Sequence, residues 1–140
     1  MNAAAFTPPT GAVRAMHLAS PSTLELGPWA IRSNATTPGL QEAEREAYVD
    51  DANGLEVGVW EGTPGEFPAR RDGYSEICQI LGGRATLHPD GAEPIELSAG
   101  DPIIMPTGWT GRWELHEPLR KLYVIVLDHD ATVPDGSERS

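Results

Sequence analysis

Asn53-Gly54, Thr63-Pro64-Gly65, Asp72-Gly73, Gly82-Gly83, Pro89-Asp90-Gly91, Ala99-Gly100-Asp101, Pro106-Thr107-Gly108 and Glu117-Pro118 punctuate the second half of the chain. Each is a turn former: Gly and Asn accept positive φ, Pro presets φ and removes a donor, and Asp bonds its own backbone. They recur at roughly ten-residue spacing, which leaves room for short strands and none for helices of ordinary length. The intervening runs are 55–60, 67–71, 74–81, 84–88, 94–97, 102–105, 109–115 and 119–127. Seven or eight strands in that arrangement predict an all-β antiparallel sandwich or barrel. The 15 Gly, 13 Pro and only 2 Phe agree with it.

Residues 41–47 contain strong helix formers. Asn53-Gly54 nevertheless marks a tight hairpin, so the segment before it is expected to be the first arm, a strand that begins late. In the second arm, the alternation of Leu55, Val57 and Val59 with Glu56, Gly58 and Trp60 predicts that one face meets a core. The final strand, 122–127, is apolar on both faces. One face should meet the core and the other a second sheet or a partner chain, which points to a homodimer. Residues 1–11 read as a loosely held terminus. Breaks at Pro21, Gly27, Pro28 and Pro38 limit 12–38 to short edge strands such as 23–26. The expected layout is an N-terminal extension over 1–40, one barrel over 41–128 and a polar tail over 129–140.

The chain of 140 residues is long enough for one self-sufficient core. Its net charge of -11 repels phosphate backbones, so nucleic acid is excluded as a partner. No secretion signal and no apolar run of membrane-spanning length is present, and a cytoplasmic location without membrane contact is the simplest expectation. Cys78, the single cysteine, excludes an internal disulfide and a thiolate metal cluster, and its strand neighbours predict a buried, inert thiol.

Glu76 is an acid on an otherwise apolar strand. One reading makes it an inward carboxylate with a raised pKa, acting as general base or binding a substrate amine or amide. The other pairs it with Arg70, Arg71 or another base to hold strands in register. Tyr74, Trp109 and Trp113, with Trp60, supply either an aromatic ligand pocket or plain core. Arg71 suits a ligand carboxylate through its forked guanidinium. Tyr123 is either a proton donor or a core ring. No phosphate loop, nucleophile elbow or zinc spacing occurs.

Further stretches carry a family resemblance: Gly58-Val59-Trp60-Glu61-Gly62-Thr63-Pro64-Gly65, and Gly73-Tyr74-Ser75-Glu76-Ile77-Cys78-Gln79-Ile80-Leu81-Gly82-Gly83. Gly100-Asp101 with Pro106-Thr107-Gly108-Trp109 follows, then Gly111-Arg112-Trp113-Glu114 and Arg120-Lys121. Together these resemble the cupin superfamily, in particular the cupin-3 group of ureidoglycine aminohydrolase-like and ethanolamine-utilisation cupins. The resemblance implies a double-stranded β-helix, the cupin-type jelly roll. Glu76 and Gly83, and Gly100, Pro106 and Gly108, match its two motifs. The motif histidines fall instead on Ala69 and Arg71, or on Arg70 and Asp72, and on Gly111.

A cupin metal takes three imidazoles and one carboxylate, and binding weakens steeply as nitrogens are removed. His17, His88, His116 and His129 do not rescue the site. No metal is therefore expected; manganese, nickel or zinc, with Asp72 or Gln79 as ligands, is the disfavoured alternative. If position 111 faces inward, Trp109, Trp113 and Leu115 do too, with His116 and Arg112 outward, and the small Gly111 leaves a gap for ligand or water. The expected function is a cupin that binds a small polar metabolite without metal. The alternatives are a divergent aminohydrolase or isomerase acting on a ureido or amino-acid-like substrate, and a non-catalytic assembly module whose barrel is packed shut.

Overall fold

The computed structural model describes residues 13–129. The expectations for 1–11 and for the tail beyond 129 lie outside the described residues. The chain forms β1 (Ala30–Ile31), β2 (Gln41–Asp50), β3 (Leu55–Gly62), β4 (Gly65–Arg70), β5 (Tyr74–Gly82), β6 (Arg84–Pro89), β7 (Ile95–Ser98), β8 (Pro102–Met105), β9 (Thr110–Leu115) and β10 (Leu119–Leu127). The eight strands expected from Leu55 onward fall at these places, with ends displaced by at most two residues. No helix of the described residues is long and apolar enough to cross a membrane.

Every strand pair is antiparallel. One sheet has the order β1-β2-β3-β10-β5-β8 and the other β4-β9-β6-β7. From β3 onward the chain crosses repeatedly between the sheets, the jelly-roll connectivity that the turn spacing and the family resemblance predict. Between the sheets lies one core built on Trp60, Phe67, Tyr74, Ile80, Leu87, Met105, Trp113 and Leu119.

Two local expectations are corrected, and the inward face of β3 is assigned. Residues 41–47 belong wholly to β2, which starts at Gln41 and not late, because eight register pairs with β3 outweigh their helix propensity. Residues 23–26 are not a strand. They are part of an arm laid over the outer face of the larger sheet, tied by Arg45 to the Glu25 carbonyl and by Arg120 to the carbonyls of Pro21 and Leu24. In β3 the core-facing set is Glu56, Gly58, Trp60 and Gly62, while Leu55 and Val57 face out and Val59 is buried under the arm. The alternation could not separate these faces, since both bear apolar groups. The choice lies with Tyr123, whose hydroxyl would be only 2.5 Å from a Cβ at Gly58.

Asn53-Gly54 does close the β2–β3 hairpin, through a single 3-10 turn over Asp51–Asn53 that the Asp50 side chain caps. Gly54 leaves it with φ 66°.

Gly83 at the β5–β6 turn has φ +89°, and a Cβ there would lie 2.1 Å from the Pro118 carbonyl oxygen. Gly83→Ala therefore meets both an unfavourable backbone and immovable main chain. We expect it to lower unfolding free energy by at least about 2 kcal/mol, measured by chemical denaturation.

Candidate functional site

Glu76 faces into the sandwich from β5, opposite Ile125 on β10 and Met105 on β8. Arg71 follows β4 and is pinned by its main chain: its N–H bonds the Trp109 carbonyl at 2.9 Å and its carbonyl accepts from Gly108 N–H at 2.7 Å. That corner aims the guanidinium inward, with Nη2 3.0 Å from Glu76 Oε1. From the other side comes Lys121 of β10, whose Nζ lies 3.0 Å from Glu76 Oε2. The Cys78 thiol donates to the same Oε2 at 2.9 Å.

The cations are seated on aromatic faces. Lys121 Nζ lies 5.0 Å from the Trp60 ring centroid and 4.8 Å from that of Trp113. The Arg71 guanidinium lies 5.7 Å from the Tyr74 ring and 5.8 Å from the Trp109 ring. Such contacts partly replace the water that both cations lose. Arg71, Tyr74 and Glu76 are 0 % exposed, and Trp113 and Lys121 1 %. A side chain that a water-sized sphere cannot touch has no cavity beside it, so the interior around Glu76 is full.

Four of the predicted site residues, Arg71, Tyr74, Glu76 and Trp113, thus meet around one carboxylate, with Trp109 at the edge. The expected raised pKa of Glu76 is corrected. Burial pushes it up, but the charges of Lys121 and Arg71 and the hydrogen bonds from Cys78 and Lys121 outweigh burial and hold it at about 2. It is a permanent anion between two cations and a poor base near neutral pH.

Tyr123 points elsewhere. Its hydroxyl lies 2.8 Å from Glu44 Oε2 and 2.9 Å from Glu56 Oε2, within a group where the carboxylates of Glu44, Glu46 and Glu56 come within 4.8 Å of one another. Burial and then those charges raise its pKa well beyond the ordinary phenol. Burial and then the Glu76 charge likewise push the Cys78 thiol up, in keeping with an inert sulfhydryl.

Lys121 was not among the predicted site residues. The signal for it was its phase: it stands two residues from Tyr123 and two from Leu119, so period two places it with the inward set of β10.

Trp113 and Leu115 face inward and Arg112 and His116 outward, as the alternation predicts. The expected gap at Gly111 is corrected. A Cβ there would sit 2.7 Å from Trp109 Cζ2, so the Trp109 indole occupies that space. Open volume lies instead beside it, in a cleft of about 370 Å3 lined by Asn34, Pro68, Ala69, Arg70, Asp90, Thr110 and Gly111. Ala69 and Gly111 are register partners across β4 and β9.

The residues present do not fit a cupin metal. Ala69 and Gly111, at positions of the motif histidines, offer no donor, and Arg71 brings a fixed positive charge. What remains is Glu76 and Cys78, both against the Lys121 ammonium. A divalent cation there would face two resident cations in a low-dielectric interior.

Removing the carboxylate charge strands Arg71 and Lys121. Glu76→Gln is expected to cost about 3–5 kcal/mol, and adding Lys121→Met to recover part of it, by urea unfolding at pH 7. The folded carboxyl titrates near 2 and an ordinary one near 4.5. Its stabilisation is therefore complete above about pH 5 and lost as pH falls toward 2. Glu76→Gln should lack that portion of the acid-induced loss.

With this geometry in hand, the relatives are informative. The EutQ-like cupin domain family matches residues 50–123. A putative ethanolamine utilization protein Q from Salmonella typhimurium LT2 is similar at TM-score 0.58 and 20% identity, over 72% of this chain and 80% of that one. A protein of unknown function of the DUF861 family from Pseudomonas syringae pv. tomato DC3000 gives TM-score 0.65 and 23% identity, over 75% of this chain and 46% of that one. A predicted oxalate decarboxylase from Thermotoga maritima gives TM-score 0.54 and 22% identity, over 66% and 88%. At these identities the likeness is one of fold. No curated protein matches the chain. The jelly-roll topology and a family match over more than half of the sequence agree, and the chain belongs to the EutQ-like cupin domain family.

Proposed function

We propose that this chain is a metal-independent, non-catalytic cupin that binds a small polar molecule at the rim cleft over Ala69 and Gly111. The observation that carries the reading is the state of Glu76. Its carboxylate is engaged by Arg71, Lys121 and Cys78 and sealed from solvent, while open volume adjoins Ala69 and Gly111, two of the positions on which motif histidines would fall.

The cleft has the make-up of a small-ligand site, an apolar floor with a few polar groups at its rim. Arg70 and Asn34 offer donors to an anionic or carbonyl group. Asp90, which accepts from the Thr110 hydroxyl at 2.7 Å, offers an acceptor to an amine or amide. Small zwitterions, ureides and amino alcohols meet both requirements. An aminohydrolase or isomerase reading needs a proton carrier near neutral pH. Glu76, Cys78 and Tyr123 are each shifted away from that range.

A thermal-shift screen of small amino acids, ureides and amino alcohols, followed by calorimetry on hits, tests this. A ligand of this class should raise the melting temperature, lose at least tenfold in affinity in Arg70→Ala, and fail to bind Ala69→Leu, which fills the cleft floor. The ligand should be recovered unchanged by mass spectrometry. Binding that survives both substitutions, or turnover that Glu76→Gln abolishes, would overturn the proposal.

A further inference from the structure

The loop between β1 and β2 forms one wall of the rim cleft and is held at several points. Arg32 N–H closes it onto the Leu40 carbonyl at 2.8 Å. Two threonines staple it to Glu66 of β4: Thr36 N–H donates to the Glu66 carbonyl at 2.9 Å, and Thr37 Oγ1 accepts from Glu66 N–H at 2.9 Å. Beneath the loop Arg32 is 2 % exposed, and its guanidinium lies 4.2 Å from the Phe67 ring centroid. Glu42 Oε1 accepts from Arg32 Nη1 at 2.7 Å and from Trp60 Nε1 at 3.0 Å. That grip turns Arg32 Nε toward Asn34, whose Oδ1 accepts from it at 2.7 Å.

An arginine has donors and no acceptor, so this contact decides which way round the Asn34 amide sits. Its oxygen belongs to Arg32. Its NH2 is turned toward Pro68, which also lines the cleft, with Nδ2 3.4 Å from the Pro68 carbonyl. To a ligand the Asn34 side chain is therefore a donor and nothing else. From there the lining runs across Ala69 of β4 and Gly111 of β9 to Asp90, which follows β6. This far wall has the opposite sense. Thr110 Oγ1 donates its single proton to Asp90 Oδ2 at 2.7 Å, and Asp90 N–H bonds the Thr110 carbonyl at 3.0 Å. The Thr110 hydroxyl and the Asp90 side chain thus present only lone pairs to the cleft.

We propose that Arg32, acting through Asn34, sets the ligand class and the ligand orientation of the rim cleft, an inference that rests on the reading of that cleft as a ligand site. The ligand lies with a carbonyl or carboxylate end against Asn34 and an amine, amide or ureido N–H end against Asp90 and Thr110. Amino acids and ureides satisfy both walls. An amino alcohol also brings an acceptor to Asn34, but its hydroxyl proton meets no side-chain acceptor there, since Asn34 and Arg70 only donate. A site built for a specific hydrogen-bonding pattern discriminates against a ligand that leaves a polar group unpaired. Arg32 itself touches no ligand. It is a positioning residue, and the neutral Asn34 amide is the group that discriminates.

Calorimetry on the full chain with N-carbamoylglycine and 1-amino-2-propanol as probes tests the inference. Wild type should bind N-carbamoylglycine at least about tenfold more tightly than 1-amino-2-propanol. Asn34→Asp keeps an oxygen for Arg32 and exchanges the donor for an acceptor, so it should reverse that order with unchanged circular dichroism. Arg32→Lys retains a cation for Glu42 but lacks the fork that also reaches Asn34. With the amide free to turn, the preference should narrow to less than about threefold. A purely structural role for Arg32 would weaken both probes by the same factor. Wild type that binds neither probe, a preference that survives Asn34→Asp, or an unchanged ratio of the two affinities in Arg32→Lys would each overturn the inference. The reading of the cleft as the ligand site fails by a different sign, binding of N-carbamoylglycine that Ala69→Leu leaves intact.

Discussion

The carboxylate of Glu76, held between the Arg71 guanidinium and the Lys121 ammonium in an interior closed to water, is the constraint on which the rest of the barrel depends. Each of the three comes from a different part of the chain: the β4–β5 corner, β5 and β10. An isolated ion at that depth would cost many kcal/mol, and a pair of opposite charges offsets the cost only with close geometry. The cluster can therefore exist only if the β10–β5 register and the Arg71 corner are both correct. A misregistered alternative would leave at least one of these charges buried without its partner.

The aromatic shell follows from the same constraint. Trp60 and Trp113 flank the ammonium, Tyr74 and Trp109 the guanidinium. A sandwich with only 2 Phe fills its interior with indoles and a phenol because these provide both packing volume and a negative π face for the cations. This also explains why the interior is not a pocket. The tryptophans that would line a ligand site around Glu76 are occupied by the protein's own cations, and Trp109 fills the space above Gly111. Open volume is displaced to the rim, where Ala69 and Gly111 are too small to fill it.

Tyr123 and its acids form a second, separate polar cluster. It spans β2, β3 and β10, with the Tyr123 hydroxyl against Glu44 and Glu56. The two clusters explain how a chain with so many carboxylates can turn some of them inward. Those in the core are met by cations or a hydroxyl, and many of the remainder lie on the surface.

The strand boundaries from Leu55 onward, the jelly-roll class and the inward direction of Glu76, Trp113 and Leu115 were legible in the sequence, because turn chemistry and period-two alternation are local properties of a few residues. The coincidence of Arg71, Tyr74, Glu76 and Trp113 in one site was legible as well, through the spacing of the cupin motifs. Only the tertiary structure decided what that site is. Whether Glu76 is a base or a bound anion depends on which distant side chains reach it. Lys121, 45 positions further along the sequence, is brought there by strand pairing that no local pattern encodes. The inward face of β3 was open for the same reason. Both faces of that strand are partly apolar, and it took the Tyr123 hydroxyl, from the neighbouring strand, to require glycine on the inside.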